Sequence, residues 1–139
     1  MESLQEDEIV DIPENRIRYF GGPGKMLLPS PQTVAEVIQN VPRAKLLTTD
    51  LLRKRLAAQF DVEGACPVTI RKSLLAVARD EEHEVAYWRV INKNGTLIAQ
   101  FPGGTEDQAA RLQAEGFAIH TTGKAPKVAK FDEKLVRFA

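Results

Sequence analysis

The chain has 139 residues, of which 43% are apolar and 27% are charged. This length and composition fit one globular domain with its own core, and they exclude a disordered or fibrous chain and an enzyme with a separate cofactor domain. The 19 basic and 19 acidic residues give a formal net charge of zero, which by itself argues against a nucleic-acid binder.

The residue types also limit the compartment and the cofactors. One cysteine, Cys66, excludes an internal disulfide, and together with only two histidines it offers no zinc ligand set. No apolar run reaches the roughly 18 to 20 residues of a membrane span, and the N-terminus is acidic where a signal peptide is basic and then apolar. We therefore expect a cytoplasmic protein with no metal, no cofactor and no membrane partner.

The charge is unevenly distributed along the chain. Residues 1–14 hold six acids and no base, residues 15–79 hold eleven bases and four acids for a net charge of +7, and residues 80–139 have a net charge of −1. A segment of +7 attracts phosphate through its local charge density. The alternative interpretation is that these bases only solvate the outer faces of helices.

The chain begins with a segment that we expect to be a flexible leader over residues 1–26. Its acidic part is followed by Gly21-Gly22-Pro23-Gly24, which breaks both helix and strand periodicity. The ordered domain is therefore predicted to begin near Leu27 and to extend to residue 120. Residues 121–139 form a C-terminal extension, in which the alternation of apolar and polar residues is too weak to predict a helix or a strand.

Helical spacing of apolar residues predicts three helices in the first half of the domain. Ser30 followed by Pro31 is a typical helix start. Thr48 or Thr49 caps the second helix, and Pro67 suits the first turn of the third. The predicted helices cover residues 31–41, 50–59 and 67–79. The second and third are basic and are separated by a short turn that contains Gly64, which is compatible with a helix-turn-helix.

The second half predicts a small β wing and a fourth helix. Residues 85–91 are rich in β-branched and aromatic types, and Asn94-Gly95 is a strong hairpin turn before residues 96–98. Thr105 and Gln108 have the spacing of a capping box for a helix over residues 106–115, which Gly116 ends. The predicted fold class is mainly α: a winged-helix, helix-turn-helix domain with a small β wing.

One sequence of motifs is more specific than these elements taken singly. After the two basic helices come Tyr87-Trp88-Arg89-Val90, then Gly103-Gly104, then Glu115-Gly116. This order resembles the DNA-binding domain of the O6-alkylguanine-DNA alkyltransferase family, the methylated-DNA-protein-cysteine methyltransferases, over about residues 27–118. The resemblance implies a role in DNA repair. In the family a Pro-Cys-His-Arg-Val motif stands where this chain has Ala86-Tyr87-Trp88-Arg89-Val90.

The departures from that motif concern the chemistry. Tyr87 stands where the alkyl-acceptor Cys would be, and Trp88 stands where its activating His would be. A phenol with a pKa near 10 is a poor nucleophile, and an indole has no accessible basic nitrogen. Cys66 lies about twenty residues upstream, where a thiol is typically an apolar filler. The pattern is similar to that of the alkyltransferase-like proteins, which lack the acceptor Cys and bind alkylated bases without removing the lesion, so we expect no enzyme activity and no catalytic residue.

The resemblance also implies roles in DNA binding. Arg71 is similar in place to the Arg that fills the gap left by a flipped base, and Arg89 matches the motif Arg, whose side chain is buried or faces a phosphate. Thr49 replaces the Tyr that rotates the target phosphate and Asp80 replaces a hinge Asn, which counts against base flipping but not against groove binding. The predicted DNA-binding residues are Thr49, Arg53, Lys54, Arg55, Arg71, Lys72, Arg79 and Arg89.

A base pocket is predicted at Tyr87, Trp88 and Glu115. An aromatic wall stacks on an extruded base, and polar groups bind its edge. Glu115 is similar in place to the family's relay Glu, although a cap or surface role is the alternative. For Tyr87 and Trp88 the alternative is that they alternate on a strand, one in the core and the other covering its edge.

These observations predict a non-enzymatic protein that binds double-stranded DNA and senses alkylated guanine. The alternative is a winged-helix interaction or regulatory module that has lost lesion recognition, with other repair or regulatory proteins as partners and the acidic leader folded over the basic face. An unrelated enzyme is not indicated, because His83 and His120 are isolated and the sequence has no phosphate loop.

Overall fold

The computed structural model describes residues 6–80, 85–121 and 125–136. Within these ranges the helices are α1 (Ile17–Phe20), α2 (Pro31–Gln39), α3 (Thr49–Phe60), α4 (Pro67–Arg79) and α5 (Gly104–Ala114). The strands are β1 (Glu8–Asp11), β2 (Lys25–Leu28), β3 (Leu47–Thr48), β4 (Gly64–Ala65), β5 (Val90–Ile91), β6 (Ile119–His120) and β7 (Lys127–Val128). The fold is mainly helical with small strands, which agrees with the predicted mainly α fold class.

The three helices predicted in the first half are confirmed. They could be predicted because local chemistry sets their ends. The Ser30 hydroxyl accepts a hydrogen bond from the Thr33 N–H at the start of α2. Thr48, rather than Thr49, caps α3 by accepting from the Leu51 N–H at 3.4 Å. The main core packs between these helices and is built from fully buried side chains such as Val34, Leu52 and Leu74, each of which stabilises the fold by about 2 kcal/mol.

The expected flexible leader is wrong for residues 8–26. Strand β1 pairs antiparallel with β2, and β2 pairs parallel with β4. Ile12 and Met26 are buried with Cys66 in a small cluster of their own, so burial of apolar side chains fixes a segment that its acidic composition had marked as a tail. The acids Asp7 and Asp11 have partners on neighbouring elements of the fold. Asp7 accepts hydrogen bonds from Ser30 and Thr33, and Asp11 forms an ion pair with Lys25.

The expected two-stranded wing is also wrong. Residues 87–89 form a 3-10 turn, β5 pairs in parallel with β3, and residues 96–98 form no strand. The physical reason is Gln108, whose buried amide accepts from the Ile98 N–H at 2.8 Å and donates to the carbonyls of Trp88 and Val90 at 3.0 and 2.9 Å. It therefore does not cap α5, which begins at Gly104 without a side-chain cap.

The C-terminal segment packs on the domain. Strand β7 pairs antiparallel with β6, Val128 is fully buried, and the Val136 N–H donates to the Leu46 carbonyl at 2.8 Å. Val128, Phe131 and Leu135 pack with Leu46 and Leu112 in a second core cluster, and Val136 packs against the main core, so residues 125–136 dock on the domain. His120 is exposed, whereas His83 and the acids at 81–84 lie outside the described residues. In the described part of the chain no helix is long and apolar enough to cross a membrane.

Candidate nucleic-acid interface

The turn after α4 forms one wall of a cavity of about 700 Å³. Tyr87 and Trp88 line it on one side, and Arg79 at the end of α4, Pro102 and Arg111 of α5 line the others. This volume falls in the range of roughly 300 to 1,000 Å³ that is typical of small-molecule sites. The cavity has room for a nucleobase.

The aromatic wall is held by packing from behind. The rings of Tyr87 and Trp88 meet edge to face at 5.3 Å, and Tyr87 makes a second edge-to-face contact at 5.1 Å with Phe101, which is buried. Both Tyr87 and Trp88 are half-buried. They lie in a turn, so the interpretation that they alternate on a strand is wrong, and both face the cavity.

A cation lies over this wall. The guanidinium of Arg111 is 4.9 Å from the centre of the Trp88 ring and 5.9 Å from that of Tyr87, within cation–π range. Its Nε donates to Asp107 at 2.8 Å, and this hydrogen bond raises the pKa of Arg111 above its usual value. Sequence reasoning missed Arg111. Its spacing from Asp107 indicates a helix-surface pair, but only the docking of α5 places it over Trp88.

Glu115 lies behind the wall and is not among the residues that line the cavity. It accepts from the Trp88 indole at 2.7 Å, from Arg89 Nε at 3.0 Å and from the Ala44 N–H at 3.0 Å. Burial would raise the pKa of this carboxyl, but these hydrogen bonds and the charge of Arg89 hold it below its usual value. Glu115 therefore orients Trp88, and its prediction as a pocket residue is corrected.

Solved structures of known proteins share this arrangement of elements. The crystal structure of S. pombe Atl1 in complex with damaged DNA containing O6-carboxymethylguanine aligns with a TM-score of 0.59 and 23% identity, over 77% of this chain and 94% of that chain. A structure of S. pombe ATL in complex with DNA aligns with a TM-score of 0.61 and 22% identity over the same shares. The chain has the fold of the alkyltransferase-like proteins.

This likeness confirms the fold that the motif order implied. No protein-family model and no curated protein matches the sequence. The alkyltransferase-like fold is therefore shared at low sequence identity. The capped helices and the docking of α5 maintain it here through this chain's own contacts.

The predicted basic residues divide between two places on the alkyltransferase-like fold. Arg79 lines the cavity, whereas Arg71 lies eight residues earlier, about 12 Å along the axis of α4, and donates to Asn92 at 3.2 Å. Lys72 is exposed on the same helix. Arg71 is thus not at the cavity, and Arg79 holds the cationic position on its α4 side. Asp80 also lines the cavity.

The bases of α3 lie beside the N-terminal segment. Arg53 donates to the Ala65 carbonyl at 3.3 Å, and Lys54 is exposed. Both line a second, smaller cavity that also includes Lys93, a cation that sequence reasoning missed because it lies in a turn outside the basic helices. Arg55 and Thr49 are half-buried on α3, and neither lines either cavity.

Two predicted residues have structural positions. Only 15% of the Arg89 side chain is exposed, and its guanidinium also donates to the Val41 carbonyl at 2.8 Å, so the buried alternative describes it. Cys66 lies in the N-terminal cluster, away from the cavity wall. Burial raises the pKa of its thiol, but hydrogen bonds from Thr69 and Val68 and the charge of Arg16 lower it overall.

Proposed function

We propose that this protein is a non-enzymatic DNA-binding protein that receives an alkylated guanine from duplex DNA in the cavity beside Tyr87 and Trp88. The observation that carries the proposal is that cavity, with an aromatic wall, the cation of Arg111 above it and Arg79 at its side. A flipped base is bound by stacking and by contacts to its edge. The wall supplies the stacking surface.

Binding to the duplex is assigned to α3 and α4, which act as the two helices of a helix-turn-helix. Lys54, Lys72 and Arg79 are exposed on these helices, where cations neutralise phosphates and release counterions. The S. pombe neighbours of the same fold are complexes with DNA, which supports this assignment. Arg71, which donates to Asn92, is assigned to the same helix pair.

The side chains at the wall support the non-enzymatic part of this proposal. None of the described residues that line the cavity is a cysteine or a histidine. The chain's one cysteine is buried in the N-terminal cluster. A base that enters the cavity meets a phenol, an indole, guanidinium groups and the Asp80 carboxylate, and none of these is a thiolate of the kind that accepts an alkyl group. The lesion is bound and released unchanged.

The fluorescence of Trp88 tests lesion binding directly, because Trp88 is the chain's single tryptophan and lines the cavity. The protein is titrated with two duplexes of the same sequence, one with O6-methylguanine and one without. We expect saturable quenching with the modified duplex and a lower Kd for it. Equal Kd values and equal quenching for the two duplexes would support DNA binding but reject lesion recognition.

Two variants and a labelled substrate complete this test. Tyr87→Leu keeps apolar volume beside Phe101 but removes the aromatic face, so we expect it to lose the preference for the modified duplex while Tyr87→Phe keeps it. With duplex DNA labelled on the O6-methyl group, no label should reach the protein. Label on the protein would reject the non-enzymatic assignment, and no binding of either duplex at low salt would reject DNA binding.

A further inference from the structure

The N-terminal segment forms a second cleft, of about 260 Å³, that the base cavity and the helix pair leave unexplained. It lies between Tyr19 and Phe20 of α1, the first turns of α3, and Lys93. Aromatic, cationic and acidic side chains meet there. This combination matches the groups of a nucleotide, which presents a ring face, a phosphate and the polar edge of a base.

The sequence builds the aromatic side of this cleft from a basic stretch of the N-terminal segment. Its acids end at Glu14, and residues 15–25 contain three bases and no acid. Ile17 and Phe20 pack against the N-terminal core cluster, and a Cβ at Gly64 would lie 2.6 Å from the Phe20 ring, so that ring rests directly on β4. Tyr19 is left facing outward and is 57% exposed.

The cationic side comes from α3 and from the turn after β5. The Arg53 guanidinium lies 5.3 Å from the centre of the Tyr19 ring, and Lys54 and Lys93 are exposed at the cleft. The two acids there are Asp50 and Glu63, and Glu63 accepts from the Lys25 N–H. The cleft therefore carries a net positive charge and an aromatic surface ready to stack.

Asp50 supplies the feature that selects the ligand. Its Oδ1 is buried and meets no hydrogen-bond donor among the residues that the structure describes. A buried acceptor without a donor is rare in folded proteins and requires an explanation. Rotation about the last side-chain bond of Asp is soft, so a donor that enters the cleft can reach this carboxylate. Carboxylates accept from the exocyclic amino group of cytosine in just this way.

We propose that this cleft binds one unpaired deoxynucleotide whose base carries an exocyclic amino group, with cytosine as the reference ligand. The base stacks on Tyr19 and donates its amino group to Asp50, and its phosphate lies between Lys54 and Lys93. Thymine has a carbonyl oxygen at the position of that amino group, and this oxygen is repelled by the carboxylate. The site is distinct from the base cavity, because the two share no lining residue.

The test uses the full chain and two single-stranded probes, oligo-dC and oligo-dT of equal length, in fluorescence anisotropy titrations at low salt. These pyrimidines stack similarly but differ in donor and acceptor at the base edge. We expect oligo-dC to bind about tenfold more tightly, a difference of about 1.4 kcal/mol. Equal affinities, or no binding of either probe, overturn the proposal, whatever the duplex titrations show for the base cavity.

Variants then assign the effect to the cleft. Asp50→Asn presents either an oxygen or an amino group, so the preference for oligo-dC should fall to about equal affinity. Tyr19→Ala should weaken the binding of both probes about fivefold or more, because stacking is lost. Ile9→Ala, which changes an exposed apolar residue on β1, should leave the binding of both probes unchanged. A preference that survives Asp50→Asn overturns the proposal. Tyr87→Leu should leave the preference unchanged, and its loss there would place the selectivity in the base cavity instead.

Discussion

The indole N–H of Trp88 donates a 2.7 Å hydrogen bond to Oε2 of Glu115. Because the same carboxylate also binds Arg89 and the Ala44 N–H, the aromatic wall of the cavity is fixed to the end of α5 and to the loop after α2. Glu115 is therefore a positioning residue for the wall. Stability and site geometry are therefore coupled at this point.

Breaking the Glu115 contacts should destabilise the protein in a pH-dependent way. Glu115→Gln leaves the largely buried Arg89 without its counter-charge, which we expect to cost about 3 kcal/mol at neutral pH. Because the folded-state pKa of Glu115 is lowered, its contribution is complete above the usual Glu pKa of about 4.3 and is lost as the pH falls through the folded value. Urea unfolding at neutral and acidic pH measures this.

The matched control for this prediction is Glu106→Gln, on an exposed acid in the first turn of the same helix. It should cost less than about 1 kcal/mol, because only a helix-end charge is lost. The difference in unfolding free energy between wild type and Glu115→Gln should become smaller at acidic pH. A gap that stays constant from neutral to acidic pH would contradict a role for the carboxylate charge.

Gln108 should be essential for the local chain path around the site. Gln108→Leu leaves the Ile98 N–H and the carbonyls of Trp88 and Val90 without their partner, which we expect to cost about 3 kcal/mol or more. Chemical denaturation measures the change in unfolding free energy. Gln113→Leu, on the exposed side of α5, should change it by less than about 0.5 kcal/mol, and equal losses in both variants would disprove the bridging role.

Lys72 should contribute to duplex binding through a phosphate. Lys72→Ala is expected to weaken binding of modified and unmodified duplexes alike and to reduce the slope of log K against log salt by about 0.9, the value for one phosphate contact. Anisotropy titrations at several salt concentrations give the slope. Lys130→Ala, an exposed base outside the helix pair, serves as the control, and an identical slope for wild type and Lys72→Ala would exclude this contact.

Gly64 should be required for the docking of α1. A Cβ at this position would lie 2.6 Å from the Phe20 ring, so Gly64→Ala must displace the ring and should cost about 1 to 3 kcal/mol. A double-mutant cycle with Phe20→Ala identifies the cause, because Gly64→Ala should cost little once the ring is gone. Additive effects of the two substitutions would show that the clash is not the source.

The sequence alone determined the elements whose chemistry is local. Ser30-Pro31 and Pro67 begin α2 and α4 as predicted, and Gly116, with a φ of 98°, follows the last helix as predicted. Capping and helical periodicity act over a few residues, so they can be recognised without a fold. The prediction that Tyr87 and Trp88 stand in place of the acceptor motif likewise rests on residue identities alone.

Only the tertiary structure decided where distant residues meet. Gln108 has capping-box spacing, yet its amide serves backbone groups ten to twenty residues away; Arg111 reaches Trp88 only because α5 docks on the turn after α4. Part of the acidic segment forms β1 because it pairs with β2 and packs against the cluster that contains Cys66. Such contacts depend on packing between elements far apart in the chain, which local composition and spacing do not encode.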